Sequence, residues 1–406
     1  MWLCASVPLC EVCRPRPCRR PRQTPLFQAP LTSSMDGHAT PEGTRSRAQP
    51  DTLGEGFYRE VDGLTLSTIG MGSYLGDTDD QAREDYVTSA RRALDHGVTL
   101  LDTAINYRHQ ASERDLGQAL AEVDREGVFV VTKGGFIHGD IDADQNTREY
   151  LQARLDEGLV DEDEVVRDMH CVSPAYLRHE LETSLDNLGL DTVDLYMVHN
   201  PETQLDQGVA EEVVYDRLEA AFTELERQRA DGAIEGYGIA TWDGLRVPPT
   251  EDGHLSLSRV VEAAEAAHAQ ADTGYGEPGL AGVQLPFNMH LLEAAAVPTQ
   301  PHQGEPVPAF AAIEAHDLIA LTSASLMQGG LLGRVTEQAR ELLGVDTDLA
   351  AALQFARSAP GATTALVGMG TPAHVDENVE ALAGLDLAPE TVEEIVGGVQ
   401  QRGRGP

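Results

Sequence analysis

Eight short, β-branched runs, each followed by a helical stretch, predict an α/β chain folded as a TIM-type (β/α)8 barrel. An N-terminal β-hairpin is expected ahead of the barrel and an acidic insertion after its third strand. Three observations carry this reading. Apolar runs and amphipathic stretches alternate from residue 56 onward, and the alternation completes eight times. No Gly-x-Gly-x-x-Gly joins a first strand to a helix, which disfavours a doubly wound sheet with a similar alternation.

The elements follow in chain order. Segments 57–61 and 64–69 flank Asp62-Gly63, a strong hairpin turn signal. Barrel strands are expected at 68–71, 100–102, 128–132, 195–199, 234–239, 282–285, 318–321 and 364–368. Helices are expected near 81–96, 112–123, 174–188, 211–231, 256–270, 307–315, 347–358 and 373–383. Residues 137–172 hold eleven acids and three arginines and read as a solvated excursion over the barrel mouth. Asp140-x-Asp142-x-Asp144-x-Asn146 resembles the start of a calcium loop. However, Gln145 stands where glycine is needed and Leu151 where a bidentate glutamate is needed, so no metal is expected. Segment 296–308, with four prolines, reads as a surface loop.

The formal charge of -38 gives nucleic acid and anionic membranes a low prior as partners. Such acidity with a single lysine points to adaptation to high salt, where screening removes self-repulsion; equal stability at low ionic strength and in molar salt would count against this. No apolar run approaches the roughly 20 residues of a membrane span. Together with one cysteine, Cys171, in the body of the chain, this leads to the expectation of a cytoplasmic protein. Residues 1–50 differ in kind: they carry net charge +4, leaving -42 for the rest, and hold Cys4, Cys10, Cys13 and Cys18. The Cys10-x2-Cys13-x4-Cys18 spacing is open to a thiolate metal reading. A Pro/Arg-rich tract without periodicity favours a disordered or non-native extension, with translation starting at Met35. A single barrel over 56–400 is expected to follow.

Lys133, the chain's only lysine, ends the run Val128-Phe129-Val130-Val131-Thr132 just before Gly134-Gly135. Unlike arginine, lysine has a tunable pKa and acts as a point charge. In a barrel the C-terminal strand ends share one face, so Asp102, Tyr107, Lys133 and His199 are expected to converge there. A carboxylate, a phenol, an ammonium and an imidazole make a proton-delivery system. The ammonium is expected to lower the phenol's pKa, Asp102 to hold the lysine, and His199 to orient a carbonyl. Each residue alone has an ordinary account, as loop cap, rim aromatic or satisfied histidine; four at strand ends together weigh against coincidence.

These residues fall into motifs: Asp102-Thr103-Ala104-x-x-Tyr107, Ser112-Glu113-x-x-Leu116-Gly117, Thr132-Lys133, and Val193-Asp194-Leu195-Tyr196-x-x-His199. The set closely resembles the aldo-keto reductases over roughly residues 56–385. The resemblance implies hydride transfer between a nicotinamide and an aldehyde or ketone, with Tyr107 as general acid. It also implies cofactor contacts at Gly72, Ser73, Thr241, Gln284, Ser323, Leu326, Gln328, Gly329, Gly368, His374, Glu377 and Asn378. Gln284 would serve the carboxamide. The chain departs from the pattern with Ala240-Thr241 where the family usually has Ser-Asn, with Ser323 near the place of a stacking tyrosine, and with His374 where a basic residue often meets a 2′-phosphate. NADP(H) over NAD(H) therefore rests on family habit. Two other classes stay open: a lyase using Lys133 as Schiff-base nucleophile, and a cofactor-binding regulatory barrel with negligible turnover.

Overall fold

The computed structural model describes Met35 and residues 37–403, with side chains as far as 398. The elements are α1 Pro41–Arg47, α2 Pro50–Leu53, β1 Tyr58–Val61, β2 Leu64–Ser67, β3 Ile69–Gly72, α3 Asp80–Asp95, β4 Leu100–Asp102, α4 Ala111–Leu120, β5 Phe129–Gly134 and α5 Thr147–Asp156. They continue with α6 Pro174–Leu188, β6 Val193–His199, α7 Glu202–Asp206, α8 Glu211–Ala230, β7 Ile234–Ala240, α9 Leu257–Ala271, β8 Leu280–Pro286 and α10 Glu293–Ala296. The last are β9 Pro298–His302, β10 Glu305–Pro308, α11 Ala309–Ala315, β11 Ile319–Ser323, α12 Glu337–Leu343, α13 Asp348–Arg357, β12 Thr364–Gly368, α14 Pro372–Glu380 and α15 Pro389–Gly403.

Eight parallel strands close in the order β11-β12-β3-β4-β5-β6-β7-β8, the predicted barrel. Strand side chains alternate sides, and the packing shows which parity faces inward. Leu100, Phe129, Val131, Leu195, Met197, Ala240, Ile319, Leu321 and Leu366 form one buried cluster, the barrel interior. Leu101, Val130, Tyr196, Val198, Ile239, Val283, Ala320 and Val367 join the other, larger cluster, which packs against the helices. Two residues on from an inward Leu100, Val131 or Met197 come Asp102, Lys133 and His199. The same parity brings Gly72, Gln284, Ser323 and Gly368 to the inside at the C-terminal rim. Removing one such fully buried leucine side chain costs about 2–5 kcal/mol, so the frame under the site is stiff.

Local chemistry sets the element ends. Asp62 and Gly63 both take positive φ, 50° and 82°, the conformation a two-residue hairpin requires. Asp79 and Thr371 cap α3 and α14 through their side-chain oxygens. Helix α6 opens with Pro174 at its first position and ends on left-handed Gly189.

Three expectations need correction. Residues 37–50, grouped with the extension, are folded: Thr40 caps α1, Ala39 N donates to Asp194 Oδ1 at 2.7 Å, and Thr65 N donates to Thr44 Oγ1 at 3.1 Å. Their helix buries Gly43 and Thr44, which net charge alone does not reveal. Residues 1–34, with Cys4, Cys10, Cys13 and Cys18, lie outside the described residues. Segment 296–308 is not a plain loop but the hairpin β9–β10, turned at Gln303 and Gly304 with φ of 49° and 89°. Its prolines are tolerated because the pair stands as a two-stranded ribbon with free edges. Third, the insertion holds an ordered helix, α5, and its acids are not merely solvated. Arg114 pairs with Asp140 at 2.7 Å and Asp142 at 2.9 Å, Arg83 pairs with Asp142 at 2.7 Å, and Asn146 caps α5. The Asp140 and Asp142 oxygens of the calcium-like loop are thus engaged by guanidinium and backbone. Inside the insertion, Tyr150 and His138 both bind the Glu180 carboxylate of α6 at 2.6 Å, pinning it to the barrel.

Candidate active site

Strand β4 presents Asp102 and β5 presents Lys133 into the same end of the barrel. Lys133 is fully buried, and its Nζ has three neighbours: Asp102 Oδ1 at 2.8 Å, the Thr103 carbonyl at 2.7 Å and the Tyr107 oxygen at 3.4 Å. An ammonium has three donors and no acceptor, so all three N–H groups are used. The Tyr107 oxygen therefore accepts from Lys133, and its own proton is directed elsewhere. Gln284 Nε2 from β8 adds a 2.7 Å bond to Asp102 Oδ1. Next to this knot, the Tyr107 and His199 rings meet edge to face, centroids 5.8 Å apart.

The chain just after Tyr107 is held in an unusual conformation. Arg108, His109 and Gln110 all have positive φ, 50°, 53° and 73°, a costly run for non-glycine residues. It is sustained by Arg108, which bonds Asp115 Oδ2 at 2.8 Å and the Asp77 carbonyl at 2.9 Å, while its guanidinium lies 4.4 Å from the Tyr86 ring centroid. The turn is anchored from outside the site.

Burial dominates the electrostatics. It raises the Tyr107 phenol well above its ordinary range, with the Asp102 charge adding to the effect. This overturns the expectation that Lys133 lowers it: the ammonium's charge is balanced by Asp102, and loss of water is the larger influence. Burial likewise lowers the Lys133 pKa against the opposing pull of Asp102, and raises that of Asp102 against Lys133. His199 is held well below its usual range by burial and then by the neighbouring Lys133 charge, so its imidazole is neutral.

The remaining residues divide into two groups. Ser73 sits on the Asp102 carbonyl, through N and Oγ at 3.1 Å each; Gly72 is the ladder partner of both Asp102 and Gly368, and Thr241 N donates to the Gln284 carbonyl at 2.7 Å. These pack beside the tetrad. Gln284, expected to serve a carboxamide, has one of its two amide N–H groups committed to Asp102, which leaves the other N–H and its oxygen for that role. Ser323, Leu326, Gln328, Gly329, Gly368, His374, Glu377 and Asn378 form no such knot. Gln328, Gly329, Gly368, His374 and Glu377 are exposed, Ser323 and Leu326 half-buried, and Asn378 buried. A Cβ at Gly329 or Gly368 would meet nothing within 4 Å, so space stands open over both. The Thr371-capped start of α14 offers backbone N–H groups beside it. Open room flanked by polar groups and a helix start fits an extended dinucleotide.

Sequence reasoning missed four groups at the site. Thr103 contributes only its carbonyl, which no side-chain pattern reveals. Tyr74 packs edge-on to Tyr107 at 4.9 Å and Phe136 to His199 at 5.0 Å; both follow strand-end glycines, a signal that was present. His170, on the His199 carbonyl at 2.7 Å, had no signal within the acidic insertion.

A closed parallel barrel with a lysine–carboxylate pair behind a buried tyrosine at the strand ends defines a class, and comparison with known proteins supplies the family. Residues 68–247 match the aldo/keto reductase family. It is 31% identical over 147 residues to the NADH-specific methylglyoxal reductase of Escherichia coli K12, covering 34% of this chain and 39% of that protein. It is 30% identical over 191 residues to the aldo-keto reductase YhdN of Bacillus subtilis 168, covering 45% and 47%. These matches span about half of the curated relatives' length or less. In fold it is similar to the holo form of an aldo-keto reductase from Bacillus halodurans (TM-score 0.55, 18% identity, 83% of this chain and 95% of that one). The glycerol dehydrogenase of Gluconobacter oxydans is also similar (TM-score 0.55, 21% identity, 88% and 97%).

Proposed function

We propose that the protein is an NAD(P)H-dependent oxidoreductase that reduces an aldehyde or ketone to the alcohol. The observation that carries this is the bonding of Lys133, which uses all three donors and leaves Tyr107 with its proton pointed away from the lysine. Tyr107 then acts as general acid toward a carbonyl oxygen, a role typically worth about 10²–10⁴-fold in rate. Lys133 and Asp102 hold the phenol and tune it. The neutral His199 imidazole orients the carbonyl by hydrogen bonding. The nicotinamide, when bound, supplies the hydride. Gly72, Ser73, Thr241 and Gln284 would line its reactive end, and Ser323, Leu326, Gln328, Gly329, Gly368, His374, Glu377 and Asn378 the rest.

A Schiff-base role for Lys133 is disfavoured by geometry. Its amine is fully buried and triply bonded, so no carbonyl carbon reaches it without dismantling the knot. NADP(H) is the proposed cofactor, although His374 is a poor partner for a 2′-phosphate and one relative is named for NADH. Among the described residues no helix is long and apolar enough to cross a membrane. The net charge of -38 with a single lysine supports a salt-adapted protein, and free Cys171 fits the proposed cytoplasmic setting. The test is titration in molar KCl with NADPH and then NADH, following nicotinamide fluorescence, before and after an aromatic aldehyde is added. Binding followed by consumption is expected. Binding without consumption across an aldehyde and ketone panel would move the protein to the regulatory class.

A further inference from the structure

Strand β5 leaves the ladder after Gly134, which pairs with Val198, so the His199 carbonyl has no β5 neighbour beside it. Its donor is instead a side chain from the far end of the insertion, His170, whose Nε2 lies 2.7 Å from the oxygen. A carbonyl only accepts, so the proton resides on Nε2 and Nδ1 is an acceptor. Gln204 Nε2 faces that Nδ1 at 3.4 Å. The glutamine is turned this way by Arg217, whose Nη1 donates to its Oε1 at 2.8 Å, while Nη2 donates to the Asp163 carbonyl in the insertion at 2.9 Å. Helix α8, helix α7, the insertion and β6 are thus joined by a one-way series of hydrogen bonds that ends on His199.

The surroundings leave that carbonyl little freedom. Phe136 stands between the two histidines, with ring centroids 5.1 Å from His170 and 5.0 Å from His199. Gly135, at φ 139°, passes so close that a Cβ there would lie 3.1 Å from the His199 oxygen and 3.2 Å from His170 Nε2. Asn200 takes a left-handed φ of 48° immediately afterward, so His199 is the last residue of regular strand. Burial also pushes the His170 pKa down to about 4, so its N–H donor persists unchanged through neutral pH.

We propose that His170 is the positioning residue for His199, and that the 137–172 insertion therefore belongs to the reaction machinery rather than to the surface. The role rests on the reading of His199 as the group that orients the substrate carbonyl. It has no contact with the reacting atoms; it sets where the His199 imidazole stands, and displacement of about 1 Å at such a group costs on the order of 10² in rate.

The test compares the full-length protein with His170→Phe and His170→Gln, using benzaldehyde with whichever nicotinamide nucleotide binds. Phenylalanine keeps the bulk and loses the donor, whereas glutamine places an amide N–H near the Nε2 position. His170→Phe should lower kcat about tenfold to hundredfold with nucleotide Kd unchanged, and His170→Gln should recover most of the loss. Wild-type kcat in His170→Phe would overturn the proposal. So would parallel loss of turnover, nucleotide affinity and melting temperature in both variants, which marks a merely structural residue. An activity-independent reading uses 15N-histidine protein, with the His199 imidazole resonances assigned from the His199→Gln spectrum. They should move in His170→Phe and stay in His170→Gln; unmoved resonances in His170→Phe would refute positioning even if the wild type reduced no carbonyl at all, an outcome that would sink the reductase reading alone. If His170→Phe does not fold, Gln204→Leu, which frees the His170 ring, should shift the same resonances, and no shift would again refute it.

Discussion

Strands β4, β5 and β8 end in side chains that hold one another, with the β6 histidine packed beside them, whereas β11 and β12 end in residues that have few partners within the protein. On the first side, Asp102, Lys133, Tyr107 and Gln284 are buried and linked at 2.7–3.4 Å. On the second, Gln328, Gly329, Gly368 and His374 are exposed, and Met327, Gln328 and Gly329 take positive φ in succession. A group that must deliver a proton gains from being fixed before substrate arrives. A loop that wraps a long ligand needs room and donors instead, and its order comes from the ligand. The difference teaches that the two halves of the mouth respond to substitution in different currencies, rate and stability on one side and affinity on the other.

The largest effect should come from the fixed side. Tyr107→Phe removes the proton donor and should lower kcat by about 10²–10⁴-fold, with nucleotide affinity by fluorescence titration unchanged. An equal loss of nucleotide affinity would erase the distinction between the two halves. Lys133→Met should cost stability as well as rate, because Asp102 is left as an unpaired buried carboxylate, a penalty of about 3–5 kcal/mol. Denaturant unfolding of Lys133→Met against the double variant Asp102→Asn, Lys133→Met checks this: the second substitution should restore stability but not turnover.

A third prediction sharpens the comparison through Glu202, which lies on the fixed side after β6. It is 2% exposed, its Oε2 has no partner, and its other oxygen accepts the Trp242 N–H at the start of the β7–α9 loop. Burial pushes its pKa up from 4.5 to about 7. Between those values the folded protein holds a proton that the unfolded chain has released, so stability falls as pH rises through this window. That difference corresponds to roughly 3 kcal/mol. Melting temperature against pH should decline more steeply from 4.5 to 7 in the wild type than in Glu202→Gln; identical slopes would refute the assignment. The smallest effect belongs to the open side: His374→Arg adds a charge-assisted partner for a 2′-phosphate and should raise affinity for NADPH over NADH by about tenfold, less in high salt. A change in kcat instead would mean that this helix start reaches the fixed half.

Much of the fold was legible because the strands are written in β-branched runs and the helices between them in amphipathic stretches. All eight barrel strands fall within a few residues of the positions read from sequence, and the Asp62-Gly63 hairpin stands where its turn signal is. The β9–β10 hairpin was masked by its prolines, which read as loop wherever pairing is not known. The folded residues 37–50 were masked by the composition of the tract before them.

The sequence by itself placed Asp102, Lys133 and His199 at the C-terminal ends of apolar, β-branched strands, and the C-terminal strand ends of a barrel share one face. Only the closed barrel decided what they do to one another. It spent every Lys133 donor, turned Gln284 toward Asp102, excluded enough water to raise the Tyr107 phenol rather than lower it, and brought His170 of the insertion onto the His199 carbonyl. Desolvation and hydrogen-bond direction are properties of three-dimensional neighbours, and positions 26 to 182 apart in the chain become neighbours only when the barrel closes.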